Sequence, residues 1–223
     1  MTDWRADRLR ASLRLYLLAD SGIVPAPRLA EAVASALRGG VTAVQLRAQS
    51  LSTIELLELA RTLHALCAEA AVPFVLNDRV DVALAAEADG VHVGLIDPEE
   101  QDSPQDARRL LGPDAIVGVS VTSPHEARLA TSHGASYVTA GPMFPPVSFK
   151  VPQGAHATGE PLLRSVRAAT GLPLVVVGGI SADRAAALYA AGADGLCVGA
   201  AILRAPDTEA AARAFIAAHG GST

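Results

Sequence analysis

Short apolar runs of four to seven residues alternate along this chain with longer segments in which leucine, valine and alanine recur every three or four positions. The runs are Leu13–Ala19, Ala43–Arg47, Phe74–Asn77, Gly90–Val93, Ile116–Ser120, Tyr137–Ala140, Leu174–Gly178 and Gly195–Val198. Most are apolar throughout, the pattern of strands buried on both faces of a parallel sheet. Between them, Pro27–Arg38 carries Leu29, Val33 and Leu37, and Thr53–Ala70 carries Leu56, Leu59, Leu63 and Leu66, each set on one helical face. Ser52 with Glu55 and Ser123 with Glu126 have capping-box spacing at helix starts. Gly39-Gly40, Gly134, Gly171 and Gly192 stand where helices should stop.

Eight strand–helix beats in 223 residues predict a single-domain α/β protein, a (β/α)8 TIM barrel. The barrel is expected over residues 13–219, after an arm or short helix at 1–12 and before a tail at 220–223. An open doubly wound sheet fits less well, because no Gly-x-Gly-x-x-Gly turn follows the first strand.

Composition narrows the function. Half the residues are hydrophobic and 18% are charged, enough apolar surface for a core that needs no disulfide or metal. No run of 18 apolar residues predicts a membrane span, and the charged N-terminus does not read as a signal peptide. A net charge of −5 without an arginine-rich stripe argues against a nucleic-acid partner. Cys67 and Cys197 read as reduced core thiols of a cytoplasmic protein. The oligomeric state is left open, a homo-oligomer included.

In such a barrel the active site lies at the C-terminal ends of the strands. Polar residues recur there: Gln45 and Arg47, Asn77 and Asp78, His92 and Asp97, Ser120, and Lys150. Lys150 is the one lysine among 18 basic side chains, either a chance survivor in a loop or a position where the broad guanidinium fork of arginine does not substitute. Gly178-Gly179 and Gly199-Ala200 end the seventh and eighth runs, where barrels of this kind commonly bind phosphate through bare backbone N–H groups. Asp78 and Asp97, on neighbouring loops, suit Mg2+, a hard cation that takes one or two carboxylates and leaves its other positions to water and phosphate. Asp78 has a competing role, pairing with Arg79 or capping a helix over Val80–Ala86, and Asp97-Pro98 is also an ordinary turn. His92 points inward, either as a ligand contact or as a satisfied core histidine.

The ordered set Val44-Gln-Leu-Arg47, Asn77-Asp-Arg-Val-Asp81, Asp89-Gly-Val-His-Val-Gly94, Gly118-Val-Ser120, Gly141-Pro-Met-Phe-Pro145 and Val177-Gly-Gly-Ile180 resembles the thiamine phosphate synthase and TenI-type thiazole tautomerase superfamily, over about Leu13 to Ile216. The synthase side implies Mg2+-dependent joining of hydroxymethylpyrimidine diphosphate to thiazole phosphate, with diphosphate leaving first. That resemblance implies Asp78 and Asp97 as metal ligands and Gln45, Arg47, Asn77, Ser120 and Lys150 as contacts to the pyrimidine diphosphate. It implies Gly179, Gly199 and Ala200 as the cradle of the thiazole phosphate. Lys150, Ser120 and Arg47 are the candidate catalytic groups, and Gln49 and His92 complete the candidate substrate-binding set.

The chain departs from the synthase pattern at several positions. Gln49 stands where a second lysine is usual, Leu95 where a glutamine follows the strand-4 glycine, Pro146-Val-Ser-Phe-Lys150 where a shorter Thr-x-Thr-Lys is usual, and Ala200 where a serine is usual. The tautomerase alternative needs a proton-carrying histidine where this chain has Thr122, and tautomerases tend to lose the metal aspartates, both present here. A non-catalytic regulator that binds phosphorylated ligands is the third reading. The proline- and glycine-containing stretch Phe144–Gly159 is expected to act as a lid.

Overall fold

In a computed structural model, which describes residues 6–95, 103–145 and 158–220, eight parallel strands close into a barrel in sequence order, the last pairing with the first. They are β1 (Leu15–Asp20), β2 (Ala43–Arg47), β3 (Phe74–Asn77), β4 (Gly90–Val93), β5 (Ile116–Val121), β6 (Tyr137–Ala140), β7 (Leu174–Val177) and β8 (Gly195–Val198). A short helix α1 (Ala6–Ser12) precedes β1. The strands are then followed in turn by α2 (Ala26–Arg38), α3 (Thr53–Glu69), α4 (Val80–Ala85), α5 (Pro104–Leu111), α6 (Pro124–Ser132), α7 (Gly159–Ala169), α8 (Ala182–Ala190), the one-turn α9 (Ala200–Leu203) and α10 (Thr208–Gly220). No helix among the described residues is long and apolar enough to cross a membrane.

Five strands keep the bounds the apolar runs predict, and three differ at an end. β1 begins two residues later than expected, because Leu13 closes the turn after α1, its N–H on Leu9 O at 3.0 Å. β1 also runs on to the polar Asp20, and β5 to Val121. β7 stops at Val177 because Gly178 turns left-handed, φ +100°.

Every second strand residue faces the interior, so the core has two compartments. The larger lies between strands and helices. The smaller fills the barrel: Tyr16, Leu18, Ala43, Val75, Ile116, Tyr137, Val175 and Cys197, closed at the N-terminal end by Leu9 and Leu13. Each of those two leucines is 2% exposed, and burying one contributes about 2 kcal/mol. Leu9 of α1 and Leu13 just after it are therefore the floor plug, and among the described residues the barrel opens at the other end.

The caps form largely as the spacing requires. At α3, Ser52 Oγ accepts Glu55 N–H and the Glu55 carboxylate accepts Ser52 N–H, a reciprocal box. At α6 only half of it forms. Ser123 Oγ accepts Glu126 N–H at 3.2 Å, but Glu126 turns its carboxylate to the N–H and hydroxyl of Thr122. Gly171 does not stop α7: the helix ends at the extended Thr170, whose Oγ1 accepts Leu172 N–H at 3.1 Å.

Candidate active site

A cavity of about 210 Å3 opens at the C-terminal ends of the strands, and every strand contributes to its wall: Leu18, Gln45, Arg47, Asn77, His92, Ser120, Thr139, Val177 and Cys197. Strand register produces this ring. Leu18 lies opposite Gln45, Asn77 opposite His92, Ser120 opposite Thr139 and Val177 opposite Cys197. Five of the residues picked from the sequence, Gln45, Arg47, Asn77, His92 and Ser120, are thus brought to one cavity. Ser120 is the exposed residue in an otherwise buried β5.

Arg47 is fixed from two sides. Its Nη1 donates to Asp20 Oδ2 at 2.8 Å and its Nη2 to Gln49 Oε1 at 2.8 Å. Asp20 is 3% exposed, and its other oxygen accepts Gly22 N–H at 2.7 Å, which ties the loop after β1 to the arginine. Gln49, where a lysine is usual, is exposed outside the cavity wall and orients Arg47.

Asp78 follows β3 with φ +64°, a left-handed turn that a short polar side chain tolerates. Its backbone N–H donates to His92 O at 2.9 Å, and Asn77 Nδ2 donates to its carboxylate. Neither competing role for Asp78 forms. Arg79 pairs instead with Asp81, its Nε and Nη2 reaching the two carboxylate oxygens at 2.9 and 2.8 Å, and α4 carries no side-chain cap. Burial pushes the Asp78 carboxyl above the usual carboxylate range, and the Arg47 charge and the Asn77 bond only partly oppose this. A half-buried carboxylate whose charged form is under-compensated fits a hard cation by its chemistry. Asp97, Lys150 and most of the expected Phe144–Gly159 lid lie outside the described residues.

His92 is both a cavity-wall residue and a satisfied interior histidine. Its Nδ1 is 2.9 Å from Tyr137 Oη, and its Nε2 is 2.9 Å from Ser120 Oγ and 3.3 Å from Thr139 Oγ1. Burial drops its pKa to about 4, so the ring is neutral near pH 7. Tyr137 Oη is 2.7 Å from Tyr16 Oη, which accepts from Gln45 Nε2 at 2.8 Å. Cys197 sits beside these groups as a thiol, its pKa pushed up to about 12 by burial.

Gly179, Gly199 and Ala200 lie outside the cavity wall, the first on the loop after β7 and the other two at the N-cap and first residue of α9, just after the neighbouring β8. Gly179 has φ +65°, and a Cβ there would meet Phe144 Cβ and Pro145 O at 2.8 Å. Only glycine lets the loop after β6 lie across the loop after β7, where Phe144 N–H reaches Gly178 O at 3.1 Å and the Arg184 guanidinium covers the Phe144 ring at 4.2 Å. Ser181 occupies the N-cap of α8 without a side-chain capping bond. Leu95 packs against the core.

Sequence reasoning missed Asp20, Thr139 and the tyrosine pair. A signal existed: stepping by two from Arg47 and Gln45, and likewise through β1 and β6, selects Asp20, Leu18 and Tyr16, then Thr139 and Tyr137.

Residues 15–202 match the family model described as thiamine monophosphate synthase. The chain is similar to the thiamine-phosphate synthase of Moorella thermoacetica, 45% identical over 188 residues covering 82% of this chain and 84% of that protein. It is also similar to the thiamine-phosphate synthase of Methanospirillum hungatei, 39% identical over 202 residues covering 90% of this chain and 95% of that one. Among solved structures it superposes on the thiamine phosphate pyrophosphorylase of Pyrococcus furiosus with TM-score 0.83 and 36% identity, over 94% of this chain and 96% of that one. The barrel, its ring of polar strand ends and these likenesses agree, and the chain belongs to the thiamine monophosphate synthase family.

Proposed function

We propose that the protein is a thiamine phosphate synthase, a transferase that moves the hydroxymethylpyrimidine group from its diphosphate to thiazole phosphate. The observation that carries this reading is the convergence of Gln45, Arg47, Asn77, His92 and Ser120, from four consecutive strands, on one cavity in a chain of this family.

In the reaction, the bond between the pyrimidine methylene carbon and the diphosphate oxygen breaks, and both electrons leave with diphosphate. The thiazole nitrogen then gives its lone pair to the methylene carbon. The nitrogen becomes cationic, so no proton has to move. Catalysis therefore consists of holding a leaving diphosphate, whose negative charge rises by one as it departs, and an electron-poor ring in place. Arg47 supplies fixed positive charge at the mouth, its direction set by Asp20 and Gln49. Lys150 supplies a second charge. Gln45, Asn77 and Ser120 present hydrogen-bonding groups to the pyrimidine, and the backbone at Gly179, Gly199 and Ala200 holds the thiazole phosphate. Asp78, with Asp97 as its partner, would hold Mg2+, which when bound neutralises charge on the leaving diphosphate.

The tautomerase alternative draws no support from the cavity. Thr122 is bonded to Glu126, and His92, neutral down to about pH 4, is a weak base. A cytoplasmic setting is proposed from the two buried free thiols, Cys67 and Cys197. Incubation of the protein with both substrates and Mg2+ tests the reading. Thiamine phosphate forming only when both are present supports it, and interconversion of thiazole carboxylate phosphate isomers in EDTA counts against it.

A further inference from the structure

The polar groups under the cavity form one hydrogen-bonded chain whose direction is set at its far end. Gln45 Nε2 can only donate, and it donates to Tyr16 Oη at 2.8 Å. Tyr16 keeps its own proton for Tyr137 Oη, 2.7 Å away. Tyr137, accepting there, directs its proton to His92 Nδ1 at 2.9 Å. A neutral imidazole that accepts at Nδ1 carries its proton on Nε2. That proton points at Ser120 Oγ, 2.9 Å away, and Thr139 Oγ1, 3.3 Å away, and these two hydroxyls are 3.2 Å apart.

Counting protons shows what the tautomer decides. With Nε2 protonated, His92 donates into the hydroxyl pair, one hydroxyl donates to the other, and one O–H is left over for the cavity. With Nδ1 protonated, Nε2 takes one hydroxyl proton, the second hydroxyl donates to the first, and the floor offers only lone pairs. Both hydroxyls line the cavity, so this difference is presented directly to a ligand.

We propose that Gln45, Tyr16 and Tyr137 are positioning residues that lock His92 as its Nε2–H tautomer, so that the Ser120–Thr139 pair presents a hydrogen-bond donor to the ligand. The site then selects a ligand with an acceptor at that point, such as a pyrimidine ring nitrogen, and rejects one with a donor there. The choice of ligand rests on the synthase reading, and the tautomer does not. Gly118 is part of the device: a Cβ at that position would lie 2.3 Å from Tyr137 Oη and 2.5 Å from His92 Nδ1, so any side chain would part the two.

Long-range 1H–15N correlation on the 15N-labelled protein, without substrate, reads the tautomer. His92→Gln assigns the signals among the six histidines. The expected result at pH 7 is a protonated Nε2 and a bare Nδ1. Gln45→Glu puts a carboxylate acceptor against Tyr16, which reverses the chain and moves the proton to Nδ1. Should that variant not fold, Tyr137→Phe is expected to shift the Nδ1 resonance and lower kcat/KM for the pyrimidine diphosphate about tenfold, the loss of one well-placed hydrogen bond. Wild-type His92 protonated on Nδ1 overturns the proposal. So does Gln45→Glu retaining Nε2–H, or Tyr137→Phe leaving both the Nδ1 resonance and kcat/KM unchanged. A wild-type Nε2–H tautomer that reverses in Gln45→Glu upholds the relay, and folded wild-type protein that then makes no thiamine phosphate overturns the synthase reading instead.

Discussion

Asp20 Oδ2 lies 2.8 Å from Arg47 Nη1, with the aspartate side chain 4% exposed and the arginine 26%. A carboxylate so thoroughly buried at a strand end is held there by its partners, and the arginine is aimed by it. Asp20→Ala removes the carboxylate that fixes Arg47 Nη1 and accepts Gly22 N–H. The expected cost is roughly 2–3 kcal/mol in urea unfolding, below the figure for a fully buried pair because Arg47 keeps some water. Asp20→Asn, which retains an acceptor for Gly22, should cost less while still raising KM for the pyrimidine diphosphate. Equal stability of wild type and Asp20→Ala would show that the pair holds nothing.

His92 gives a pH dependence of definite sign. In the unfolded chain an imidazole takes its proton near pH 6.5, whereas buried His92 resists protonation down to about pH 4. Between those values the unfolded state binds more protons, so stability falls as pH drops through the window, by roughly 3 kcal/mol in all. Urea midpoints measured from pH 7 to pH 4 should show this slope, and His92→Gln should flatten it. An identical slope in the variant would assign the acid sensitivity to other groups.

Gly118→Ala tests how tightly the interior is packed. The added methyl carbon would sit 2.2 Å from the Tyr137 ring, and the barrel wall leaves the ring nowhere to withdraw. The expected destabilisation is about 3 kcal/mol, the upper range for overpacking. Thermal unfolding checks it, and a change below about 0.5 kcal/mol would mean the Tyr137–His92 contact is looser than 2.9 Å implies.

Lys150 is the remaining cation of the proposed diphosphate site. Lys150→Ala should lower kcat/KM about a hundredfold with little change in unfolding temperature, and Lys150→Arg should not restore it, because a compact ammonium and a planar fork are not equivalent. Steady-state kinetics on the two variants decides this. Unchanged kinetics in Lys150→Ala would make the lysine a bystander.

Much of the barrel is legible in the sequence because its strands are short, apolar and punctuated by capping residues. Gln45, Arg47, Asn77 and Ser120 stand out as polar residues ending apolar runs. Asp20 is hidden because the first apolar run ends at Ala19, one residue before the strand does. Tyr16 and Tyr137 read as ordinary strand aromatics, since only closure of the barrel brings β1 and β6, 121 positions apart, to within one hydrogen bond. Gln49 reads as a lost charge, and its actual part, orienting Arg47, depends on side-chain geometry that spacing does not encode.

The central claim is transfer of the pyrimidine group, and the most direct measurement follows both products at once. With hydroxymethylpyrimidine diphosphate, thiazole phosphate and Mg2+, the protein should release diphosphate and thiamine phosphate one for one, and Asp78→Asn should suppress both together. Folded protein at high concentration that yields no thiamine phosphate, or that releases diphosphate without it, would contradict the account.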